Sequence, residues 1–222
     1  MTDEKESNDF LLVPALVGIV VLLLLKVFYD LYRKLTKSHH EVYFVMMGEP
    51  ECCNPNDRNM NPGNNCRKYC MGKLLLKIMN RINGAKSSIC VAMYNFSNHR
   101  LADCLLRAHR RGVKIRLVTD KSTCESGENK TQAKRLKDAG ISVRISGEDD
   151  KLMHHKFCLI DGTSPKGVLI TGSLNWTYGG LSKNCENVAF ISNGRVQQFY
   201  REAFDHIWNK FSTPYYPRTS NV

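Results

Sequence analysis

Residues 153–161 read MHHKFCLID, in which two histidines and a lysine precede an apolar run that ends at an aspartate. The run between Lys156 and Asp161 has the length and composition of a buried strand. Side chains two apart in a strand point the same way, so we expect His154 and Lys156 to project together and Asp161 to lie at the far end. Ionisable groups at both ends of a buried strand indicate that this strand serves a chemical purpose.

A second polar cluster follows in ITGSLNWT, residues 170–177. Ser173 and Asn175 are again two apart, and we expect them at the end of a neighbouring strand, close to the imidazole and the ammonium group. This set suits a phosphoryl group, because a cation and neutral donors bind its oxygens while an imidazole acts as nucleophile or base. Glu186, in NCENV, is predicted to orient the imidazole through its second ring nitrogen.

Each of these residues also has a purely structural interpretation. Taken alone, His154 fits a surface histidine, Lys156 a solvated strand end, and Asp161, which precedes a glycine, a turn. Ser173 and Asn175 fit a capped loop. The combination H-x-K-x4-D followed by G-S-x-N is more specific, because chance assembly of all six positions is rare.

The elements predicted around these strands alternate in type. Helices are predicted over residues 73–85, 97–112, 129–140 and 195–211, with Ser97 or Asn98 as an N-cap and Gly112 as a stop. Strands are predicted over residues 41–47, 87–96, 113–120, 141–146, 155–161, 167–173 and 187–192. The order predicts an α/β sandwich with a mixed, mostly parallel central sheet flanked by helices.

The 222-residue chain has a formal charge of +11 and is 42% hydrophobic, so it can bury a core and favours a polyanionic partner. Residues 10–29, FLLVPALVGIVVLLLLKVFY, have the length of a transmembrane helix and a single charge. Acidic residues before this span argue against a signal peptide or a matrix presequence. Basic residues in or just after it predict a cytosolic body under the positive-inside rule: Lys26, Arg33, Lys34 and Lys37.

Seven of the nine cysteines fall into two kinds of context. A cytosolic body argues against disulfides, so Cys90, Cys104 and Cys158, which sit in apolar patterns, are predicted to be small core residues.

A Pro/Asn/Gly-rich stretch carries a group of cysteines with the approximate spacing of a small zinc knuckle: Cys52, Cys53, Cys66 and Cys70. The spacing is irregular, so uncoordinated thiols are the alternative to structural zinc.

The sequence therefore predicts an organisation in six parts. These are a short tail (1–9), a transmembrane anchor (10–29), a juxtamembrane linker with a first strand (30–47), a cysteine-rich zinc-finger-like insertion (48–72), a catalytic domain (73–211) and a disordered tail (212–222).

The H-x-K-x4-D and G-S-x-N residues resemble the signature of the phospholipase D superfamily. The anchor, the cysteine-bearing insertion and the runs VTD, MHHKF and ITGSLNWT, with ENV downstream, are similar to mitochondrial members of that superfamily, over roughly residues 10–211. The resemblance implies a phospholipase D-like sandwich with one HKD motif. Position 70 is a cysteine, and no histidine lies between residues 41 and 98, whereas the zinc finger of those relatives usually includes a histidine.

The resemblance also implies a mechanism that needs no metal, so that any zinc is structural. His154 would attack phosphorus to form a phosphohistidine, and a second histidine would protonate the leaving oxygen. Lys156 and Asn175 would hold the phosphate oxygens with help from Ser173. Asp161 and Glu186 would support the architecture and the imidazoles.

This chemistry uses two motifs, and the chain contains one H-x-K sequence. The second histidine must then come from another copy, which predicts a homodimer with a composite active site.

Two substrates are consistent with the resemblance. The first is single-stranded RNA, cut by a metal-independent endonuclease during piwi-interacting RNA production. The alternative is cardiolipin, an anionic phospholipid, converted to phosphatidic acid at the mitochondrial outer membrane in support of mitochondrial fusion. A minor alternative is a catalytically dead, membrane-tethered RNA- or lipid-binding adaptor. A set of basic residues is predicted to flank the site: Arg107, Arg110, Arg111, Lys114, Arg116, Lys134, Arg135 and Lys137.

Overall fold

The computed structural model describes residues 3–35, 38–46, 53, 62–63, 66, 70–125, 131–148 and 151–216. The chain divides into two compact units, Met1–Ser38 and His39–Val222.

The first unit is built on one helix, α1, which spans Asp3–Leu35. The predicted anchor at residues 10–29 lies within α1, and the helix continues into the segment predicted as a linker. Its described apolar side chains are largely exposed, as Phe28 is at 73%. Among the residues that the structure describes, however, no helix meets the length and hydrophobicity needed to cross a bilayer. The predicted transmembrane anchor is therefore not confirmed.

The second unit is built on one sheet with the strand order β1-β7-β6-β5-β2-β3-β4-β8. Its described strands are β1 His39–Val45, β2 Ser88–Met93, β3 Lys114–Asp120, β4 Ser142–Ser146, β5 Lys156–Ile160, β6 Val168–Gly172, β7 Glu186–Ser192 and β8 Ser212–Pro214. The motif strand, β5, lies between β2 and β6, near the centre of the sheet.

The sheet is mixed, as predicted, but it is not mostly parallel. Only the pairs β2–β3 and β3–β4 are parallel among the described strands, and the other five pairs are antiparallel. Crossover helices separate β2, β3 and β4, which allows parallel pairing, whereas the short turn between β5 and β6 can only return the chain as an antiparallel hairpin.

Six described helices surround this sheet: α2 Met71–Asn83, α3 His99–Arg110, α4 Lys121–Glu125, α5 Ala133–Asp138, α6 Tyr178–Ser182 and α7 Gly194–Lys210. The short helices α4 and α6 were not predicted. Asn98 is the N-cap of α3, where its side-chain oxygen accepts a hydrogen bond from the Leu101 amide at 3.0 Å. Gly112 follows α3 with a φ of 87°, the left-handed conformation that glycine adopts readily at a helix stop.

Two buried clusters cover the two faces of the sheet. Cys158 and Ile160 of β5 belong to the larger cluster, together with residues of α2, α3 and α5. Phe157 and Leu159 belong to the smaller cluster, in which Phe204 of α7 is buried. Strand β5 is therefore buried on both faces, which explains its unbroken apolar run. The three predicted core cysteines, Cys90, Cys104 and Cys158, are buried.

The C-terminal segment differs from the prediction of a disordered tail from residue 212. Ser212–Pro214 form β8, which pairs antiparallel with β4. Tyr215 is buried, and its amide donates to the Val143 carbonyl at 3.1 Å. The remaining predicted tail, residues 217–222, lies outside the described residues.

Candidate active site

The candidate active site lies where β5 begins and β6 ends. Phe157 of β5 pairs with Thr171 of β6, and Lys156 pairs with Met93 at the end of β2. His154, just before β5, and Ser173, just after β6, therefore lie at the same end of these two neighbouring strands, which we call the His154 edge of the sheet. The sequence motif and its downstream partner meet here, as their strand positions predicted.

The His154 imidazole is exposed and packs against one aromatic ring. The ring centroids of His154 and Tyr94 are 4.6 Å apart. Lys156 donates from Nζ to the His154 carbonyl at 2.8 Å, and its Nζ lies 5.1 Å from the Tyr94 ring centroid. His154 and Lys156 project together, and Tyr94 contacts both, a role that the sequence interpretation missed.

Lys156 is partly buried at this edge. Burial lowers the pKa of its ammonium group, and the nearby Glu186 carboxylate offsets part of that shift. A partly desolvated cation binds a phosphate oxygen at a smaller desolvation cost than a fully hydrated one. The pKa of His155 is also lowered, first by burial and then by repulsion from Lys156 and His154, so its neutral form is favoured.

Glu186 lies close to the site but has other partners than predicted. Its carboxylate accepts hydrogen bonds from the Ser173 hydroxyl, in a short contact, and from the Asn184 amide at 3.0 Å. Ser173 Oγ in turn accepts from the Asn187 amide at 3.0 Å. Within the described residues, Glu186 forms no hydrogen bond with His154, so the predicted orientation of this imidazole by Glu186 is not what the chain shows. Glu186 instead fixes Ser173.

The G-S-x-N segment owes its path to close backbone packing. Gly172 has a φ of 155°, and a Cβ at this position would overlap the Asn187 carbonyl oxygen. Asn175 is tied to the segment that follows β2, because its Oδ1 accepts from the Asn95 amide at 3.3 Å. That bond leaves the amide NH₂ of Asn175 as the group that can donate to a ligand.

Asp161 lies at the opposite end of β5, away from His154 and Ser173. Its buried carboxylate accepts hydrogen bonds from the amides of Lys86, Ser87 and Ser88 and from the Ser87 hydroxyl, at 2.7–3.0 Å. Burial by itself would raise the pKa of this carboxyl, but the hydrogen bonds outweigh it, and the net pKa is lowered. Asp161 ties β5 to the turn before β2, which is a structural role.

A second aspartate, Asp120, was not singled out from the sequence and fixes the segment that leads into His154. It is 1% exposed at the end of β3, and its Oδ2 accepts from the Met153 amide at 2.8 Å, one residue before His154. Gly147 allows this approach, since a Cβ there would lie 2.7 Å from Asp120 Oδ2. An acidic residue at the carboxyl end of a buried parallel strand was the available signal.

Part of the basic set that was predicted to flank the site lies elsewhere. Lys114 begins β3 opposite Ser88, which is the Asp161 end of the sheet. Arg116 lines a different cavity, together with Ser88 and Gly162 at that same end. The last turn of α3, with Arg107 and Arg110, also precedes β3. The prediction that these residues flank His154 is therefore wrong.

An open cavity of about 830 Å³ adjoins the site. Its wall includes Met153, His154 and His155 on one side and the end of α7 on the other. The volume falls within the range of about 300–1,000 Å³ that is typical of ligand pockets.

Three of the four predicted zinc ligands are brought together. The sulfur atoms of Cys53, Cys66 and Cys70 lie within 4.8 Å of one another, whereas Cys52 lies outside the described residues. Cys53 and Cys66 are 3.1 Å apart, and this contact raises the pKa of Cys53 to about 12. Three thiols offer three of the four ligands of a tetrahedral zinc site, so the group fits a metal that would displace their protons.

Comparison with known proteins places this fold and site in a class. Residues 78–208 match the family described as cardiolipin synthase, PLD-like domain. Among solved structures, the phospholipase D family member Nuc from Salmonella typhimurium has a TM-score of 0.62 at 22% identity, covering 81% of this chain and 99% of Nuc. NucT from Helicobacter pylori has the same TM-score at 14% identity, covering 81% of this chain and all of NucT. The fold is that of a phospholipase D-like α/β protein.

Proteins of similar sequence identify the family within this class. The chain is 36% identical over 143 residues to human mitochondrial cardiolipin hydrolase, which covers 64% of this chain and 54% of the human protein. It is 30% identical over 203 residues to the Drosophila melanogaster protein of the same name, covering 81% and 79% respectively. The chain spans about half the length of the human relative. It belongs to the PLD-like domain family, and the resemblance read from its motifs is confirmed.

Proposed function

We propose that this protein is a phosphodiesterase that hydrolyses cardiolipin through a phosphohistidine on His154. The observation that carries the proposal is the exposed His154 imidazole beside Lys156 at the edge where β6 also ends. Relatives that are 30–36% identical carry the name mitochondrial cardiolipin hydrolase, which favours this lipid over RNA as the substrate.

In the proposed reaction, an imidazole nitrogen of His154 attacks a phosphorus atom of cardiolipin. A phosphorus–nitrogen bond forms, the phosphorus–oxygen bond to the central glycerol breaks, and that oxygen takes a proton and leaves as phosphatidylglycerol. Water then attacks the phosphohistidine, the phosphorus–nitrogen bond breaks, and phosphatidic acid is released. The imidazole is restored at the end of the cycle. The two displacement steps therefore balance in atoms and electrons without a redox partner or a bound metal.

The neighbouring side chains have distinct proposed roles. The Lys156 ammonium and the free NH₂ of Asn175 stabilise the negative charge on the phosphoryl oxygens. Ser173, whose hydroxyl donates to Glu186 and accepts from the Asn187 amide, assists as a polar neighbour of the same oxygens. Asp161 supports the fold rather than the reaction, because its oxygens are used by backbone donors.

We further propose that the active unit is a homodimer. The reaction needs an acid for the leaving oxygen, and the chain contains a single H-x-K sequence. A two-fold arrangement would bring the His154 edges of two copies together and supply the second imidazole.

Single-stranded RNA is the second candidate substrate, as in an endonuclease of piwi-interacting RNA production. The observation that favours it is the formal charge of +11, which attracts a polyanionic strand. The same charge attracts anionic lipid, so charge alone does not decide between them.

We propose a mitochondrial location from the names of the relatives, with the body on the cytosolic face of the outer membrane. Residues 10–29 as its single span remain a sequence prediction. Imaging of the tagged full chain tests the location, and carbonate extraction tests the anchorage; release of the chain into the carbonate supernatant would reject the anchor.

Structural zinc at the cysteine group is a separate proposal. We expect the full chain to retain about one zinc per copy by elemental analysis, and Cys66→Ser to lose it. Removal of zinc by a chelator is expected to lower the melting temperature without abolishing hydrolysis, because His154, not a metal, is the proposed nucleophile.

The decisive experiment compares the full chain with His154→Ala in the presence of EDTA. Each is given cardiolipin vesicles in one reaction and end-labelled single-stranded RNA in another. We expect phosphatidic acid from the wild type and a loss of at least about 10³-fold in His154→Ala. His40→Ala, an exposed histidine on β1, serves as the matched control.

RNA cleavage without phosphatidic acid release would move the assignment to the nuclease. Equal activity in wild type and His154→Ala would reject the phosphohistidine mechanism for either substrate.

A further inference from the structure

The cavity beside His154 has an apolar wall that the phosphoryl chemistry does not use. Leu152 and Phe211 line it and remain 55% and 62% exposed. Ile145, Met153 and Ile207 line it as well. Large apolar side chains that remain exposed in one concave surface mark a binding site more often than chance surface composition does.

The cavity is continuous with the proposed nucleophile. His154 and His155 form part of its wall, and Leu152 lies only two residues before His154. Its far side is formed by the end of α7 and the beginning of β8, from His206 to Thr213. A ligand whose phosphorus reaches His154 can therefore lay an attached apolar segment along this wall without leaving the protein surface.

The charges around the cavity suit an anionic head with an apolar tail. Among the described lining residues, Glu148 is the one carboxylate, and Lys151 pairs with it at 3.0 Å. Lys210 and His206 are exposed at the rim. Among the described lining residues, Lys210 is thus a cation that Glu148 does not balance, and a cation beside an apolar wall favours a phosphate group next to an acyl chain.

The same wall suits stacked bases less well. Four of its five apolar residues are aliphatic or methionine, and Phe211 is its one phenylalanine among the described lining residues. The Phe211 ring is already in edge contact with His206, with centroids 5.1 Å apart. Non-specific binding of single strands uses several open aromatic faces in succession.

We propose that this groove, defined by Ile145, Leu152, Met153, Ile207 and Phe211, binds an acyl chain of the phospholipid whose phosphodiester is cleaved at His154. This inference rests on the proposed function. It assigns Leu152 and Phe211 as the residues that favour a long-chain lipid over a water-soluble diester, through contacts far from the reacting phosphorus.

The test uses Leu152→Ser and Phe211→Ser in the full chain, with Phe199→Ser as the matched control. Phe199 is 58% exposed on α7 and lies outside the groove lining. Each variant is assayed on vesicles of long-chain cardiolipin, on the soluble diester bis(4-nitrophenyl) phosphate and on end-labelled single-stranded RNA. Because the replaced side chains are exposed, we expect each protein to fold, which thermal melting checks.

We expect Leu152→Ser and Phe211→Ser each to lower kcat/KM for long-chain cardiolipin by about tenfold, since each removes a contact to the acyl chain. Hydrolysis of the soluble diester should stay within about twofold of wild type, because the residues at the phosphorus are unchanged. Phe199→Ser should resemble wild type on both substrates.

The outcomes separate the two levels of inference. If the wild type cleaves the soluble diester but not cardiolipin, the lipid substrate is wrong. If the wild type cleaves cardiolipin and both groove variants match it, the acyl groove is wrong while the proposed function stands. Equal losses in Phe199→Ser would also overturn the groove, because they would indicate general adhesion to vesicles. A loss confined to RNA cleavage would assign the wall to nucleic acid.

Discussion

The two ends of strand β5 differ in what their polar side chains can still bind. At the His154 end, an exposed imidazole and a partly buried ammonium group both contact Tyr94, and the described residues leave part of the hydrogen-bonding capacity of each group unused. At the Asp161 end, a buried carboxylate accepts four hydrogen bonds from residues 86–88.

This difference indicates that one sequence motif combines two functions, strand anchoring and ligand binding. An acceptor whose lone pairs are filled by backbone donors holds a strand in place but has nothing left for a substrate. Side chains at the open end keep unused donors and acceptors for a ligand. We therefore propose that the H-x-K part of the motif serves the chemistry, whereas its aspartate anchors the same strand.

After His154→Ala, the largest effect is expected from Lys156→Gln at the open end. Loss of the cation beside the reacting phosphate should lower kcat by about 10²–10³-fold. The free energy of unfolding should not fall, because burial already lowers the pKa of Lys156 and so disfavours its charged form in the folded state. Steady-state kinetics and urea unfolding measure the two quantities.

Lys166→Gln is the matched control for this change. Lys166 is exposed in the β5–β6 turn, at the Asp161 end of the same hairpin. If Lys166→Gln lowered kcat as much as Lys156→Gln, the two ends would not differ in the proposed way.

Asp161→Asn should have the opposite profile. Asparagine tolerates the left-handed backbone at φ 49°, but its NH₂ cannot accept the amide donors that the carboxylate binds. We expect a loss of about 2–3 kcal/mol in the free energy of unfolding at pH 7, with kcat per folded molecule retained. Asp138→Asn, at an exposed aspartate paired with Lys134, should change stability by much less.

The pH dependence of this loss follows from the lowered pKa of Asp161. The carboxylate's contribution is complete above the unfolded value of about 3.9 and is lost as the pH falls through the lower folded value. The stability gap between wild type and Asp161→Asn should therefore narrow in acid. A gap that stays constant from pH 7 to pH 2.5 in urea titrations would contradict this account.

The smallest effect is expected at Tyr94, which joins the two groups of the open end. Tyr94→Leu removes the ring that contacts His154 and Lys156, and we expect kcat to fall by about 3–10-fold with little change in KM. Tyr94→Phe keeps the ring and should stay close to wild type. If the phenylalanine variant lost as much as the leucine variant, the hydroxyl rather than the ring would be responsible.

Local sequence signals predicted most of the elements of the second unit. Helices α2, α3 and α7 and strands β2 to β7 lie where periodicity and caps indicated, because amphipathic spacing and an N-cap such as Asn98 act over a few residues. Two predictions were wrong: that the sheet is mostly parallel, and that the C-terminal tail is disordered from residue 212. Strand direction and the pairing of β8 with β4 depend on contacts between residues far apart in the chain.

The sequence by itself determined the family and singled out the candidate pairs His154 with Lys156 and Ser173 with Asn175, because these depend on residue type and short spacing. Only the tertiary structure decided which groups touch them. In the structure, Tyr94 packs against His154 and Glu186 accepts a hydrogen bond from Ser173. The Met153 amide donates to Asp120, and the basic C-terminal turn of α3 lies away from the site. Those contacts arise because strand pairing brings together segments that are separated in the chain, and no local pattern specifies which strands pair.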